Sequence, residues 1–288
     1  MCRILYLEGT NKTQALQYID AFWQAWYHDD TILNVTKKFG IDWNWHQHPH
    51  WWGYLLITPY RVNHYLSWKA FFEDTEAFKR LKQKIVAMDA DTPFLLMAEF
   101  RATEEGRVSA LNSHPFPLVS YTGYYGWLFY NGLLDYKKLA ELEGINFKYF
   151  EKKNWTLIMA LTIAKELDAT HDIYKALERP KRALKSGYNL MLFLAKPQKY
   201  TAYIHHQVSQ KVLEDPTVYE YYKLITKQDS DLLFAGSSNI AKYFPQDYNL
   251  MQPGETLTRE IDWIKEKYIN VYEDPNLQPW VGEIPRLT

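Results

Sequence analysis

The chain has 288 residues and a formal net charge of −1, from 33 basic and 34 acidic side chains. This balance gives no electrostatic reason to expect nucleic acid or an anionic membrane as a partner, and no apolar run approaches the roughly 20 residues of a membrane-spanning helix. Hydrophobic residues make up 47% of the chain and aromatic residues 17%, which is sufficient for a large core.

The first predicted element is the apolar run Ile4–Leu7, a buried strand that follows the only cysteine of the chain, Cys2. If Met1 is removed, Cys2 carries both a thiol and a free α-amine, and an amine with a pKa of about 8 can accept the thiol proton. By position alone, an inert cysteine behind a start residue is the commoner explanation. One cysteine forms no internal disulfide and the signal-peptide pattern is absent, so we expect a cytoplasmic protein.

Helical periodicity follows the first strand. Asn11 or Thr13 can cap a helix that runs to about Tyr27, because large apolar residues recur on one face. The residues of that face are Leu16, Ile19, Phe22, Trp23 and Trp26.

Between Asp42 and Gly53 the sequence is crowded with histidine and tryptophan. His46, His48 and His50 alternate, and neutral imidazole is a common metal ligand. However, this alternation is not a zinc spacing, and no cysteine or acidic ligand is close. We therefore expect a loop that lines a pocket, with no bound metal and no cofactor.

The next elements alternate between strands and one helix. We predict a hairpin around Thr58–Arg61, a helix, and a central strand whose apolar run is continuous. A polar, proline-broken loop then precedes another strand. In order, these elements are Gly53–Ile57, His64–Trp68, Thr75–Met88, Phe94–Arg101, the loop Asn112–Pro117 and the strand Trp127–Tyr130.

Helices dominate the following stretch, and strands return in the last third. Strands and helices in separate blocks indicate the α+β class. We find no internal repeat or long linker, so we predict a single domain over residues 1–288, with an extended tail at 274–288. The predicted elements are helices at Tyr136–Leu142, Trp155–Asp168 and His171–Glu178, then strands at Asn189–Ala195, Tyr200–His205, Asp231–Gly236 and Glu255–Ile261.

Four short blocks carry a resemblance to a known family. They are Met1-Cys2-Arg3-Ile4-Leu5, Glu99-Phe100-Arg101-Ala102-Thr103, Asn112-Ser113-His114-Pro115-Phe116 and Trp127-Leu128-Phe129-Tyr130-Asn131-Gly132. Their order and spacing resemble the class II glutamine amidotransferases of the N-terminal-nucleophile hydrolase superfamily. The chain is most similar to the stand-alone type that begins Met-Cys-Arg, which includes γ-glutamyl hydrolases. The resemblance spans nearly the whole chain and implies a four-layer αββα sandwich of two antiparallel sheets.

The resemblance also implies an amidohydrolase mechanism. Cys2 would attack the γ-amide of glutamine or of another γ-glutamyl compound and form a thioester. Asn131 and Gly132 would form the oxyanion hole, and Arg101 would bind the substrate carboxylate in two hydrogen bonds. Glu99 and His114 are further candidate substrate-binding residues.

Simpler structural roles exist for two of these candidates. Arg101 can instead form an ion pair with Glu104 or Glu105, and Asn131-Gly132 can be a plain turn.

The chain departs from the family at four places. Glu99 and Tyr130 stand where the family has histidine, and His50-Trp51 stands in place of Asp-Gly. Asn154 or Trp155 occupies the position of an aspartate that pairs with the substrate α-amino group.

Two function classes therefore remain: the amidohydrolase, and a binding or scaffold protein with reduced catalysis on the same fold. Carbohydrate binding by the aromatic loops is a third, weaker alternative. For the enzyme we expect a small γ-glutamyl substrate and a separate synthase or acceptor protein as a possible partner, without nucleic acid or membrane.

Overall fold

The computed structural model describes residues 2–38, 50–67, 69–101, 113–150, 155–196 and 199–265. The strands are β1 (Cys2–Gly9), β2 (Trp52–Ile57), β3 (Val62–Ser67), β4 (Phe94–Arg101), β5 (Phe116–Val119), β6 (Tyr125–Leu134), β7 (Leu184–Lys196), β8 (Lys199–His205), β9 (Leu224–Gln228), β10 (Leu232–Ser237), β11 (Asn249–Leu250) and β12 (Thr256–Glu260). The α-helices are α1 (Lys12–Tyr27), α2 (Asp30–Lys38), α3 (Thr75–Val86), α4 (Tyr136–Glu143), α5 (Thr156–Thr170), α6 (Ile173–Glu178), α7 (Gln210–Leu213) and α8 (Pro216–Tyr222).

The described strands form two antiparallel sheets. The first sheet has the order β11-β9-β10-β1-β4-β2-β3, and the second has the order β12-β8-β7-β6-β5. Strand β1 therefore lies in the interior of the first sheet, between β10 and β4. Strand β6 lies between β5 and β7 in the second sheet.

Three hydrophobic clusters define the layers. Helices α1 and α3 pack on the outer face of the first sheet, and α4, α5 and α6 pack on the outer face of the second. A third cluster joins the two inner faces. The result is helix, sheet, sheet, helix, so the predicted α+β class and the four-layer αββα sandwich are confirmed.

Strand β1 shows why both faces of the first sheet are apolar. Successive side chains of a strand point to opposite faces. Ile4 and Tyr6 belong to the cluster between the sheets, whereas Leu5 and Leu7 pack under the helices. Cys2 has the parity of Ile4 and so belongs to the inner face, opposite the second sheet.

Several predicted elements match the structure closely. Strand β4 has the predicted bounds, and Asn11 caps α1 by accepting a hydrogen bond from the Gln14 N–H. The hairpins β2–β3 and β7–β8 are also present. None of the helices in the described ranges combines the length and the hydrophobicity that a membrane span requires.

The proline-broken loop was predicted wrongly at its end, since Phe116 and Pro117 begin strand β5. Proline is tolerated there because β5 is an edge strand of its sheet. The helices α2 and α8 and the strand β9 were not predicted. Residues 39–49, the 102–112 segment and the predicted tail lie outside the described residues.

Candidate active site

Cys2 lies at the start of β1, and its backbone joins the two sheets. The Cys2 N–H donates a hydrogen bond to Asn131 Oδ1 on β6, at 3.1 Å. Within its own sheet Cys2 is paired with Arg101 of β4. The side chain of Cys2 is 4% exposed. The blocks of Cys2, Arg101 and Asn131 are therefore joined directly by these contacts.

The residue after Cys2 is held by a buried ion pair on the opposite face of the sheet. The Arg3 guanidinium donates to both carboxylate oxygens of Asp29, at 2.7 and 2.9 Å, and to the Tyr221 carbonyl at 2.6 Å. It also donates to Thr31 Oγ1 and lies over the Tyr221 ring. The Tyr221 hydroxyl donates to the Cys2 carbonyl at 3.0 Å. These contacts fix the backbone that carries the thiol.

Glu99 and His114 form a second buried group beside the thiol. Glu99 pairs directly with Ile4 across β1 and β4, so it lies diagonal to Cys2 on the inner face. Its Oε1 is 2.6 Å from His114 Nδ1, and its Oε2 accepts the Tyr130 N–H at 3.0 Å. Glu99 is 1% exposed and His114 is 2% exposed.

The local chain path explains why these two side chains meet. Gly53 of β2 pairs with Glu99, and a Cβ at Gly53 would lie 2.0 Å from the His114 carbonyl oxygen. Only glycine lets the segment before β5 approach this closely. Strand β5 pairs with β6 only from Val119 to Phe116, and Phe116 lies opposite Leu128. Tyr130 lies beyond the end of this pairing, so its N–H is free to bind Glu99.

One ligand atom each from Cys2, Glu99 and His114 lie within 4.8 Å of one another. Burial, and after it the Glu99 carboxylate, raise the pKa of the Cys2 thiol to about 12, against the opposing effect of Arg101. Burial also lowers the pKa of His114, against the effect of Glu99. In the folded protein, therefore, the Cys2 thiol is protonated and His114 is neutral at neutral pH.

Asn131 and Gly132, the residues predicted for the oxyanion hole, lie on β6. Asn131 Nδ2 is buried and has no hydrogen-bond partner within the described part of the chain. Gly132 of β6 lies so close to the neighbouring strand β7 that a Cβ would lie 1.8 Å from the Gly187 carbonyl oxygen. Across the ladder, Asn131 pairs with Asn189, which binds the Tyr222 carbonyl and His206.

Arg101 is paired directly with Cys2 across β1 and β4. Its guanidinium lies 5.4 Å from the centroid of the Trp51 ring, and its Nε has no hydrogen-bond partner among the described residues. No salt bridge to Arg101 occurs within the described ranges. Glu104 and Glu105, the alternative partners, lie outside them.

At two of the four positions where the chain differs from the family pattern, the side chain points away from the Cys2 thiol. Tyr130 points to the outer helix layer, where its hydroxyl donates to the Gly187 carbonyl. Trp155 packs against Tyr136 and Phe147 in the same layer. His50 is half-buried next to the paired strands, and burial lowers its pKa to about 4. Asn154, Asn112, His46 and His48 lie outside the described residues.

Sequence reasoning missed the supporting residues Asp29, Tyr221 and Asn189. Asp29 had one sequence signal, because an aspartate just before a helix is a common N-cap residue. In the structure its side chain accepts the Thr31 N–H at 3.1 Å. Tyr221 and Asn189 had no such signal. A tyrosine in a short helix resembles an ordinary core residue, and an asparagine in a long strand resembles an ordinary ladder residue.

No protein-family model and no curated protein sequence matches the chain. Solved structures do match. One is the glutamine phosphoribosylpyrophosphate amidotransferase from B. subtilis in complex with ADP and GMP, with a TM-score of 0.52, 11% identity and coverage of 91% of this chain and 49% of that chain. Another is described as the allosteric regulatory enzyme of purine biosynthesis, with a TM-score of 0.54, 12% identity and coverage of 93% and 50%. The chain thus spans about half the length of these neighbours and shares the fold of that half.

Proposed function

We propose that the protein is an amidohydrolase whose nucleophile is Cys2, made N-terminal by removal of Met1. The observation that carries the proposal is the pair of contacts at Asn131. Its Oδ1 accepts the Cys2 N–H at 3.1 Å, while its Nδ2 is buried without a partner. A donor left free beside a nucleophile fits a site in which negative charge develops on a substrate oxygen.

The proposed reaction has two stages. The Cys2 thiol transfers its proton to the α-amine and the sulfur attacks the amide carbon. The oxyanion accepts hydrogen bonds from Asn131 Nδ2 and the Gly132 N–H. The carbon–nitrogen bond then breaks, the α-ammonium returns the proton to the leaving nitrogen, and a thioester remains. Water attacks the thioester, which releases a carboxylic acid and restores the thiol.

The substrate of this proposal is glutamine or another γ-glutamyl compound. Arg101 supports it, because a guanidinium on the strand that pairs with Cys2 can bind an α-carboxylate in two hydrogen bonds. One structural neighbour is by name a glutamine amidotransferase, which agrees with this substrate class. A separate synthase or acceptor protein for the released ammonia, and a cytoplasmic location, remain predictions from the sequence.

A second candidate is a binding protein with reduced catalysis. It is favoured by one observation: the Glu99 carboxylate adjoins the thiol and adds to the high pKa of Cys2. A nucleophilic cysteine ordinarily needs a lowered pKa.

One experiment separates the two candidates. Intact mass first establishes whether Met1 is absent. The mature protein is then treated with a diazoketone glutamine analogue and assayed on glutamine and γ-glutamyl amides. We expect labelling of Cys2 and release of ammonia, with Cys2→Ala inactive and Cys2→Ser retaining a trace. Mature protein that neither labels nor cleaves any γ-glutamyl amide would leave the binding protein as the function.

A further inference from the structure

We propose that Cys2, Glu99 and His114 form a binding site for one divalent cation of the zinc type, and that the bound ion blocks Cys2 as a nucleophile. The blocking effect rests on the proposed function, whereas the metal site itself does not. The sequence had led us to expect no metal, from the spacing of the His46–His50 loop. The three residues of this site come from distant parts of the chain and gave no spacing signal.

The geometry of the three side chains supports a common ion. Their ligand atoms lie within 4.8 Å of one another. With bonds of about 2.0 to 2.3 Å, the ligands of one tetrahedral zinc ion lie about 3 to 4 Å apart. Small side-chain rotations therefore suffice. Glu99 Oε1 and His114 Nδ1, at 2.6 Å, are closer than two such ligands and would separate to admit the ion.

The backbone holds the three residues in place without a metal. The Cys2 N–H is bonded to Asn131, Glu99 Oε2 accepts the Tyr130 N–H, and the absence of a side chain at Gly53 seats the segment of His114. A site preformed in this way loses little conformational freedom on binding. All three residues are nine-tenths buried or more.

The donor set selects the class of cation. A thiolate, an imidazole and a carboxylate suit zinc and its neighbours in the first transition series, whereas magnesium and calcium require oxygen ligands. Three protein ligands leave a fourth position open. One thiolate and one carboxylate balance the charge of a divalent ion, and Arg101 on β4 is the nearby cation that opposes binding. Binding releases the thiol proton to solvent as the sulfur–metal bond forms.

His114 has an additional feature that favours a ligand role. Its Nε2 is buried and has no hydrogen-bond partner among the described residues. A neutral imidazole has one nitrogen that donates and one that carries a lone pair. When Nδ1 carries the proton toward Glu99, the lone pair lies on Nε2, and a metal ion supplies a partner for it.

Cobalt(II) is a direct probe of this site in the intact chain. Because Cys2 is the only cysteine, a thiolate-to-cobalt charge-transfer band in the near ultraviolet reports on Cys2 alone. We expect one cobalt ion per chain, visible bands of four-coordinate cobalt, and displacement by zinc. Absence of the charge-transfer band, or its persistence in Cys2→Ser, would overturn the metal site.

Four variants test the ligand set. Glu99→Gln and His114→Asn are expected to weaken cobalt binding by at least about tenfold. Arg101→Ala removes a positive charge and no ligand, so it is expected to bind cobalt at least as tightly as the wild type. His28→Asn, at an exposed histidine, is the matched control and is expected to change nothing. Unchanged affinity in both ligand variants would refute the assignment. If either variant fails to fold, X-ray absorption spectroscopy of the zinc-loaded wild type identifies the atoms that coordinate the zinc ion. A coordination shell without sulfur would refute the site.

The blocking effect is measured by alkylation of Cys2 with iodoacetamide. We expect bound zinc to slow alkylation at least tenfold and a chelator to restore it. Equal rates with and without zinc would overturn the regulatory part. Because cobalt spectra and alkylation need no substrate, a protein that cleaves no γ-glutamyl amide but shows the charge-transfer band retains the metal site and loses only the proposed activity.

Discussion

The backbone N–H of Cys2 and the side-chain oxygen of Asn131 form a hydrogen bond that crosses from one sheet to the other, at 3.1 Å. The same amide group of Asn131 leaves its Nδ2 buried without a partner. One side chain thus positions the backbone of the thiol residue and offers a donor beside it. This dual use makes Asn131 the most informative residue to change.

Asn131→Ala is expected to lower kcat by about 10²- to 10³-fold, because it removes the oxyanion donor that we propose. It also removes the acceptor of the Cys2 N–H. Steady-state hydrolysis of a γ-glutamyl amide measures the effect. The control is Asn63→Ala, since Asn63 lies on β3 with an exposed hydrogen bond to Lys84. A variant with wild-type kcat would exclude Asn131 from the oxyanion hole.

Arg101→Ala is expected to raise KM steeply with a smaller change in kcat, as for loss of a group that binds the substrate carboxylate. Initial rates over a range of substrate concentrations measure both constants. The matched control is Arg61→Ala, at an exposed arginine in the β2–β3 turn. An unchanged KM would assign Arg101 a structural role.

Arg3→Met is expected to destabilise the protein by about 3 to 5 kcal/mol, because it leaves the Asp29 carboxylate buried without its partner. Urea denaturation gives the free energy of unfolding. The double variant Arg3→Met, Asp29→Leu is expected to recover part of that loss, since it removes both buried charges. A loss below about 1 kcal/mol for Arg3→Met would contradict the role of this ion pair.

Glu99→Gln is expected to lower the pKa of the Cys2 thiol from about 12, because the neighbouring carboxylate raises that pKa. A larger fraction of thiolate at a given pH makes alkylation faster. The pH dependence of iodoacetamide modification, with a chelator present, measures the shift. Glu143→Gln is the control, since Glu143 is buried in another layer and paired with Arg179. A pKa that rises in Glu99→Gln would contradict the assigned electrostatics.

His206 predicts a pH dependence of stability. Burial lowers its pKa from 6.5 to about 4. The unfolded chain therefore binds a proton below about pH 6.5 that the folded chain takes up only near pH 4, so stability falls as the pH falls through this window. His206→Gln keeps a donor for Asn189 but does not titrate, so it is expected to reduce the loss at pH 4 by on the order of 3 kcal/mol.

Urea denaturation at pH 7, 5.5 and 4 measures that effect, with each variant compared with its own value at pH 7. His28→Gln, at an exposed histidine, is the control. Equal slopes in the wild type and in His206→Gln would show that His206 does not contribute.

The sequence determined the local elements, because their signals lie within a few residues. The continuous apolar run of Phe94–Arg101 identified β4 with its observed bounds, and Asn11 identified the start of α1. The ordered blocks behind Cys2 also identified the four-layer architecture, through a resemblance and not through periodicity. Short elements such as α8 carried too few residues for a pattern.

Only the tertiary structure decided what surrounds the thiol. Parity along β4 places Glu99 and Arg101 on one face, but it does not say which strand lies beside them. That is set by the register of β4 on β1, which pairs Glu99 with Ile4, and by the close approach that Gly53 allows to His114. Register between strands that are about ninety residues apart depends on the packing of whole sheets, and no local pattern encodes it. The sequence predicted Glu99 and His114 as substrate-binding residues, and only the structure shows that both lie beside the sulfur of Cys2.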